Sequence, residues 1–181
     1  MARAVALTGT PGTGKSAAAR LLARSLRVVE VADLARSAGF GRGHGRETVV
    51  DLAQLVRAAE RDRLLDRYDL VVGHLAHLLP VSRTIVLRCH PVELLGRLRR
   101  ARRGTPSDRH ENFVCEATDV VLLEAIGTGR PVTEVDTTGR SVGLVAREVR
   151  RQIALRPRAL PRTVDWLSDP RVTEHLLDRA R

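Results

Sequence analysis

Gly9-Thr10-Pro11-Gly12-Thr13-Gly14-Lys15-Ser16, entered through Val5-Ala6-Leu7 and left through Ala17-Ala18-Ala19-Arg20-Leu21-Leu22, is the stretch that decides the fold. Its spacing is G-x-x-x-x-G-K-[ST]. A short apolar strand delivers the chain to a loop of small residues, whose backbone N–H groups turn inward around an anion. The helix that follows aims its positive dipole end at the same point. In such a loop the backbone of Gly12, Thr13 and Gly14 cradles phosphate oxygens. Lys15 reaches the outer phosphates as a point charge, and the Ser16 hydroxyl is a ligand for Mg²⁺. Lys15 is also the only lysine in the chain, every other side-chain cation except histidine being arginine. A compact ammonium between phosphates is a task that a planar guanidinium does not take over.

Outward from this loop, 181 residues suit one α/β domain with small inserts. No apolar run approaches the roughly 20 residues of a membrane span. The chain enters a strand without the charged and apolar regions of a leader peptide, so a cytoplasmic, membrane-free protein is expected. Cys89 and Cys115 are then expected as reduced thiols, and two cysteines without companion spacing make no zinc site. The formal charge of +10 favours anionic partners. Aromatic residues make up only 2% of the chain, which leaves few platforms for stacking single-stranded bases. Sequence-specific DNA readout is not expected; contact with structured RNA or a ribonucleoprotein is compatible with the charge.

Hydrophobic periodicity predicts strands at 4–7, 28–31, 68–72, 84–87 and 131–135. It predicts helices at 16–26, 51–67, 92–103 and 141–155, and one helix running from 107 through 126. Strands alternating with helices argue for a doubly wound parallel sheet of five strands with helices on both faces. Ligands gather at the carboxyl ends of such strands, which directs attention to His74, Arg88 and His90. Residues 39–46, Gly-Phe-Gly-Arg-Gly-His-Gly-Arg, alternate glycine with larger groups and are expected as a loop, neither helix nor strand. An arginine-bearing loop at this place suits closure over a second phosphate. The densest cationic run, 97–111, is broken at Gly104-Thr105-Pro106, the shape of a hinged, arginine-bearing lid. Beyond Pro157, the apolar pieces 164–167 and 172–177 are expected to dock back onto the domain.

These segments together resemble the adenylate kinase isoenzyme 6 family, small P-loop nucleoside monophosphate kinases of archaea and eukaryotes that also act in small ribosomal subunit maturation. The likeness is carried by residues 9–16, Asp33-Leu34-Ala35-Arg36, Glu47-Thr48-Val49-Val50-Asp51, and Gly73-His74 with Pro80. It continues in Val86-Leu87-Arg88, Arg103-Gly104 with Glu111-Asn112 and Glu116, and Asp136-Thr137-Thr138-Gly139-Arg140-Ser141. The resemblance implies ATP and Mg²⁺ as cofactors and AMP as phosphate acceptor, with Lys15, Arg103 and His74 as catalytic residues and Gly12, Gly14, Lys15, Ser16, the backbone of Ala17 and Arg103 on the ATP. It places Arg103 in a lid at about 102–112 and the acceptor segment at about 31–52, where Asp33, Arg36 and Arg88 serve the monophosphate. Residues 157–181 become a C-terminal helical extension, and a small-subunit ribosomal protein or pre-rRNA becomes a possible class of partner. A nucleotide-switched assembly ATPase with vestigial kinase turnover is the alternative. Two departures stand out: Val72 occupies the place of a usual acidic residue two positions before the histidine, and Arg42-Gly43-His44-Gly45 replaces an acidic loop. Asp33 and Asp136 are the sequence candidates for the missing carboxylate.

Overall fold

The apolar run ahead of the glycine loop forms strand β1 (Val5–Thr8), buried at every position, and a strand apolar on both faces needs a covering layer on each side. The computed structural model describes residues 4–44, 47–155 and 164–178. After β1 come α1 (Lys15–Leu22), β2 (Val28–Glu30), α2 (Val31–Ser37), β3 (Gly41–His44), β4 (Glu47–Val50) and α3 (Leu52–Arg61). They are followed by β5 (Leu70–Val72), β6 (Arg83–Arg88), α4 (Pro91–Arg100), α5 (Pro106–Ala117), α6 (Val120–Gly127), β7 (Val132–Asp136), α7 (Val142–Ala154) and α8 (Pro170–Asp178). Five strands form one parallel sheet in the order β2-β5-β1-β6-β7, with Leu7 in register with Val72 and Ile85. This is the doubly wound α/β sheet expected from the sequence. None of the described helices is long and apolar enough to cross a membrane.

Side-chain alternation along the strands assigns the two layers. Leu7, Leu70, Val72 and Ile85 face α1 and α7 through Ala18, Leu22, Val145 and Val149. Ala4, Ala6 and Val71 face the other way, onto Leu34 of α2 and Leu55 of α3. Helix starts are fixed by local chemistry. Asp51 and Ser141 accept N–H bonds at the heads of α3 and α7, and a reciprocal pair between Thr105 and Asp108 opens α5 behind Pro106.

The sequence reading is corrected at three places. Residues 41–44 are not a loop: β3 pairs antiparallel with β4, Gly41 opposite Val50 and Gly43 opposite Thr48. Glycine weakens a strand but does not forbid one, and here it is required. A Cβ on Gly41 would lie 2.9 Å from the Arg36 nitrogen, so the hairpin lies directly on the backbone of α2. Gly45 and Arg46 are outside the described residues. Secondly, the single helix expected from 107 through 126 is two, because Asp119 adopts a left-handed conformation (φ 58°) between α5 and α6.

The third correction explains that break. Arg88, expected as a clamp for the acceptor phosphate, is 1% exposed. Its guanidinium is held by Glu116 at 2.8 Å, by Glu134 at 2.8 Å and by Asp119. The turn at Asp119 brings that carboxylate to Arg88, and the strand-end arginine becomes an internal tie between β6, β7 and α5. His90 likewise turns from the loops to structure. Its Nδ1 accepts from Val92 N–H at the head of α4, and its Nε2 pairs with Asp169 at 2.9 Å, just ahead of α8. The C-terminal pieces do dock: Trp166, Val172 and Leu176 pack with Leu95 and Phe113. Removing the cation should strand buried carboxylates, so Arg88→Met is expected to lose about 3–5 kcal/mol of stability in urea denaturation. A variant of wild-type stability with weakened AMP binding would return Arg88 to the clamp role.

Candidate functional site

The loop between β1 and α1 is shaped by its own small residues. A Cβ on Gly9 would lie 2.3 Å from the Leu87 carbonyl oxygen, so only glycine lets the loop pass the end of β6. Gly14 stands at the head of α1 with φ 101°, a conformation that turns the first helical N–H groups towards the loop centre. Thr13 is buried and closes the loop internally, its hydroxyl donating to the Thr10 carbonyl at 2.9 Å. Thr10 in turn donates to Glu116 at 2.5 Å.

Lys15 lies inside this ring, 9% exposed, with Nζ donating to the carbonyls of Gly9 at 2.6 Å and Thr10 at 3.0 Å. Burial pulls its pKa from 10.5 to about 8; the charge of Arg103 acts in the same direction, and those of Glu116 and Glu30 oppose it. A lone cation held at the centre of a ring of backbone groups is an anion site in chemistry as well as in sequence. The residues present fit a nucleotide polyphosphate: the loop is open where a Cβ would fill it, the ammonium is central, and the Ser16 hydroxyl is exposed beside it. Ser16 is accordingly the side chain that would hold the accompanying Mg²⁺.

The loop opens into a cleft of about 630 Å³ at the carboxyl ends of β1, β2 and β5. Gly12, Gly14, Lys15, Ser16 and Ala17 line one wall. Val31, Thr48 and Val50, from α2 and the hairpin, line another, and Arg103 closes over from the α4–α5 connection. Arg102 (φ 49°) and Gly104 (φ 66°) flank Arg103 in left-handed conformations, which makes this connection a sharp turn between two helices. His74 also lines the cleft, its carbonyl accepting from the Thr8 hydroxyl at 3.0 Å. A second cavity of about 440 Å³ lies on the other side of the loop, between Gly12, Thr13 and the Thr137–Gly139 turn.

The structure therefore brings together Gly12, Gly14, Lys15, Ser16, Ala17, His74 and Arg103, while Thr13 lines the second cavity. Asp33 and Arg36 are exposed on α2 and paired with each other, and neither lines the cleft. Arg36 also donates to Thr48, a lining residue, at 2.9 Å. Asp136 is engaged by its own turn, accepting from the Thr138 amide at 2.9 Å and hydroxyl at 2.6 Å. Sequence reasoning missed two lining residues. Arg97, hidden among the arginines of its run, forms a wall shared by both cavities and donates to the Thr137 carbonyl at 2.6 Å. Glu30, read only as part of a strand, ends β2 at the cleft.

A family model described as an AAA domain matches residues 5–119. A protein of Pyrococcus abyssi named "Putative adenylate kinase" is 36% identical over 172 residues, covering 90% of each chain. Proteins of the same name from Archaeoglobus fulgidus and Natronomonas pharaonis are 39% and 38% identical, covering 91% and 95% of this chain and 92% and 99% of their own. Among solved structures, an unliganded sugar kinase from Janibacter sp. HTCC2649 superposes with a TM-score of 0.54 at 15% identity, over 90% of this chain and all of that one, a likeness of fold.

The lowered pKa of Lys15 has a measurable consequence. A lysine so shifted would be substantially neutral in the free protein near pH 8, and bound phosphates favour the ammonium. ATP binding at pH 8 is therefore expected to take up protons, and affinity should fall as the pH rises above about 8. Calorimetry in two buffers of different ionisation enthalpy measures the uptake, which should vanish in Lys15→Met. Equal heats in both buffers for the wild type would contradict the assignment.

Proposed function

We propose that this chain, which belongs to the P-loop family whose archaeal members carry the adenylate kinase name, transfers the γ-phosphate of ATP to AMP. The observation that carries the reading is the single cleft shared by the phosphate loop, the α2–hairpin lobe and Arg103 of the α4–α5 hinge. Such an arrangement lets two nucleotides meet phosphate to phosphate. The second cavity, contiguous with Gly12 and Gly14, suits the nucleoside part of the donor.

Phosphoryl transfer asks for little covalent chemistry from the protein; it asks for in-line placement and neutralised charge. Lys15 and the loop amides would hold the donor phosphates, and Ser16 would hold the metal. Mg²⁺, when bound, would offset the charge of those phosphates. Arg103 approaches from the hinge and supplies charge to the transferring group, and its closure excludes water that would otherwise accept the phosphate. Arg36, one hydrogen bond from the cleft through Thr48, takes the acceptor phosphate once it leaves Asp33. His74 positions a water in a side ATPase reaction. Arg88 has no part in binding; its buried ion pairs hold the sheet end on which the loop rests.

A second reading is a nucleotide-switched ATPase in small ribosomal subunit assembly, partnered by a ribosomal protein or pre-rRNA. It is supported by the apolar Val72 at the strand end and by the net charge of +10. A coupled assay of ADP release with and without AMP separates the two. The kinase reading expects stimulation by AMP over other monophosphates; indifference to AMP favours the switch. Arg103→Ala is expected to lower kcat by more than about tenfold with a smaller change in KM for ATP, the mark of a contact made in the transition state. A change confined to KM would reduce Arg103 to ground-state binding.

A further inference from the structure

Four cations, Lys15, Arg20, Arg97 and Arg103, line the main cleft, and among the described residues one carboxylate does: Glu30. Its position follows from the sheet. Glu30 ends β2 and is the register partner of Val72 on β5, and Val72 is the partner of Leu7 on β1, which runs into the phosphate loop. Val28, two residues earlier, packs with Val72, Leu7 and the α1 residues Ala18 and Leu22. Residues two apart on a strand share a face. Glu30 therefore leaves the sheet on the side that α1 covers, where Lys15 and Ser16 begin the helix.

Magnesium bound with nucleotide phosphates keeps several of its waters, and besides a loop hydroxyl it requires a carboxylate near that water shell. Val72 has none to offer. Asp33 is paired with Arg36, Asp136 accepts from Thr138, and neither lines the cleft. Glu30 is exposed, and its side chain makes no hydrogen bond or ion pair with any described residue. Adjacent strands lie about 4.8 Å apart, so the Glu30 backbone is on the order of 10 Å from β1, a gap that a glutamate and a metal-bound water together bridge. We propose that Glu30 is the carboxylate that holds the water shell of the magnesium ion bound with ATP, one strand outward from Val72. The proposal rests on reading the cleft as an ATP site. The charge of Glu30 already acts on Lys15, the cation at the centre of that site.

The test uses the full chain with a non-hydrolysable ATP analogue, Mn²⁺ replacing Mg²⁺ so that bound metal is read by electron paramagnetic resonance. Glu30→Gln should raise the Mn²⁺ concentration for half-saturation by about 10- to 100-fold. Affinity for the analogue in EDTA should not fall, because the variant removes a negative charge beside the phosphates. Glu30→Asp, which keeps the charge and shortens the reach, should lie between the two, and melting curves of both variants should match the wild type, since Glu30 is exposed. An unchanged Mn²⁺ half-saturation in a folded Glu30→Gln protein overturns the proposal. So does weakened AMP binding with unaltered metal binding, which would place Glu30 in the acceptor pocket. Analogue binding without any AMP stimulation defeats the kinase reading alone; the metal shift still decides the role of Glu30.

Discussion

The carboxylate of Glu116 is the interaction on which the rest of this structure depends. One oxygen accepts from Arg88 at 2.8 Å, the Cys89 amide at 3.0 Å and the Trp166 indole at 3.3 Å; the other accepts from Thr10 of the phosphate loop at 2.5 Å. These partners come from the loop, the end of β6, and the C-terminal segment, and Glu116 itself belongs to α5, the helix that follows the hinge. A group buried to 2% exposure is tolerable only with its hydrogen-bonding capacity filled, and here the filling is done by the segments that must be held together. Removing any one of them leaves part of that buried acceptor capacity unfilled. The same residue lies close enough to Lys15 to oppose the pull of burial on that ammonium, so the fold's internal tie is also part of the site's electrostatics.

A division of labour among the arginines follows. Arg88 is spent inside the molecule, where three carboxylates compensate the cost of burying a guanidinium. Arg97 is half committed, bonded to Glu93 and to the Thr137 carbonyl, and fixes the wall between the two cavities. Arg103 is exposed on a hinge whose neighbours hold left-handed conformations. Fixed cations suit the ground-state cradle, and a hinged one suits charge that develops only during transfer. Against this positive lining Glu30 is the one carboxylate among the described residues that lines the cleft, and it stands one strand outward from Val72. Residues in register at the carboxyl edge point to the same face, so neighbouring strands offer equivalent starting points for a side chain long enough to reach inward.

What the sequence by itself determined is the part governed by local rules. Val5-Ala6-Leu7, the glycines of the loop and the alternation of apolar strands with amphipathic helices sufficed for the parallel five-stranded sheet and for Lys15 and Ser16 at the head of α1, because a strand–loop–helix unit is built from neighbours in the chain. The break between α4 and α5 was legible for the same reason, Gly104-Thr105-Pro106 being a local interruption. The tertiary structure alone decided the fates of Arg88, residues 41–44 and Glu30. A strand-end arginine reads as a ligand clamp until Glu116, Asp119 and Glu134 arrive from far along the chain. A glycine-rich segment reads as a loop until β4 supplies hydrogen-bond partners and the α2 backbone leaves no room for a Cβ. Glu30 reads as one more exposed strand residue, because the register that sets it beside Val72 joins segments about forty residues apart. Periodicity reports which face a residue occupies, and only strand pairing reports what stands next to it.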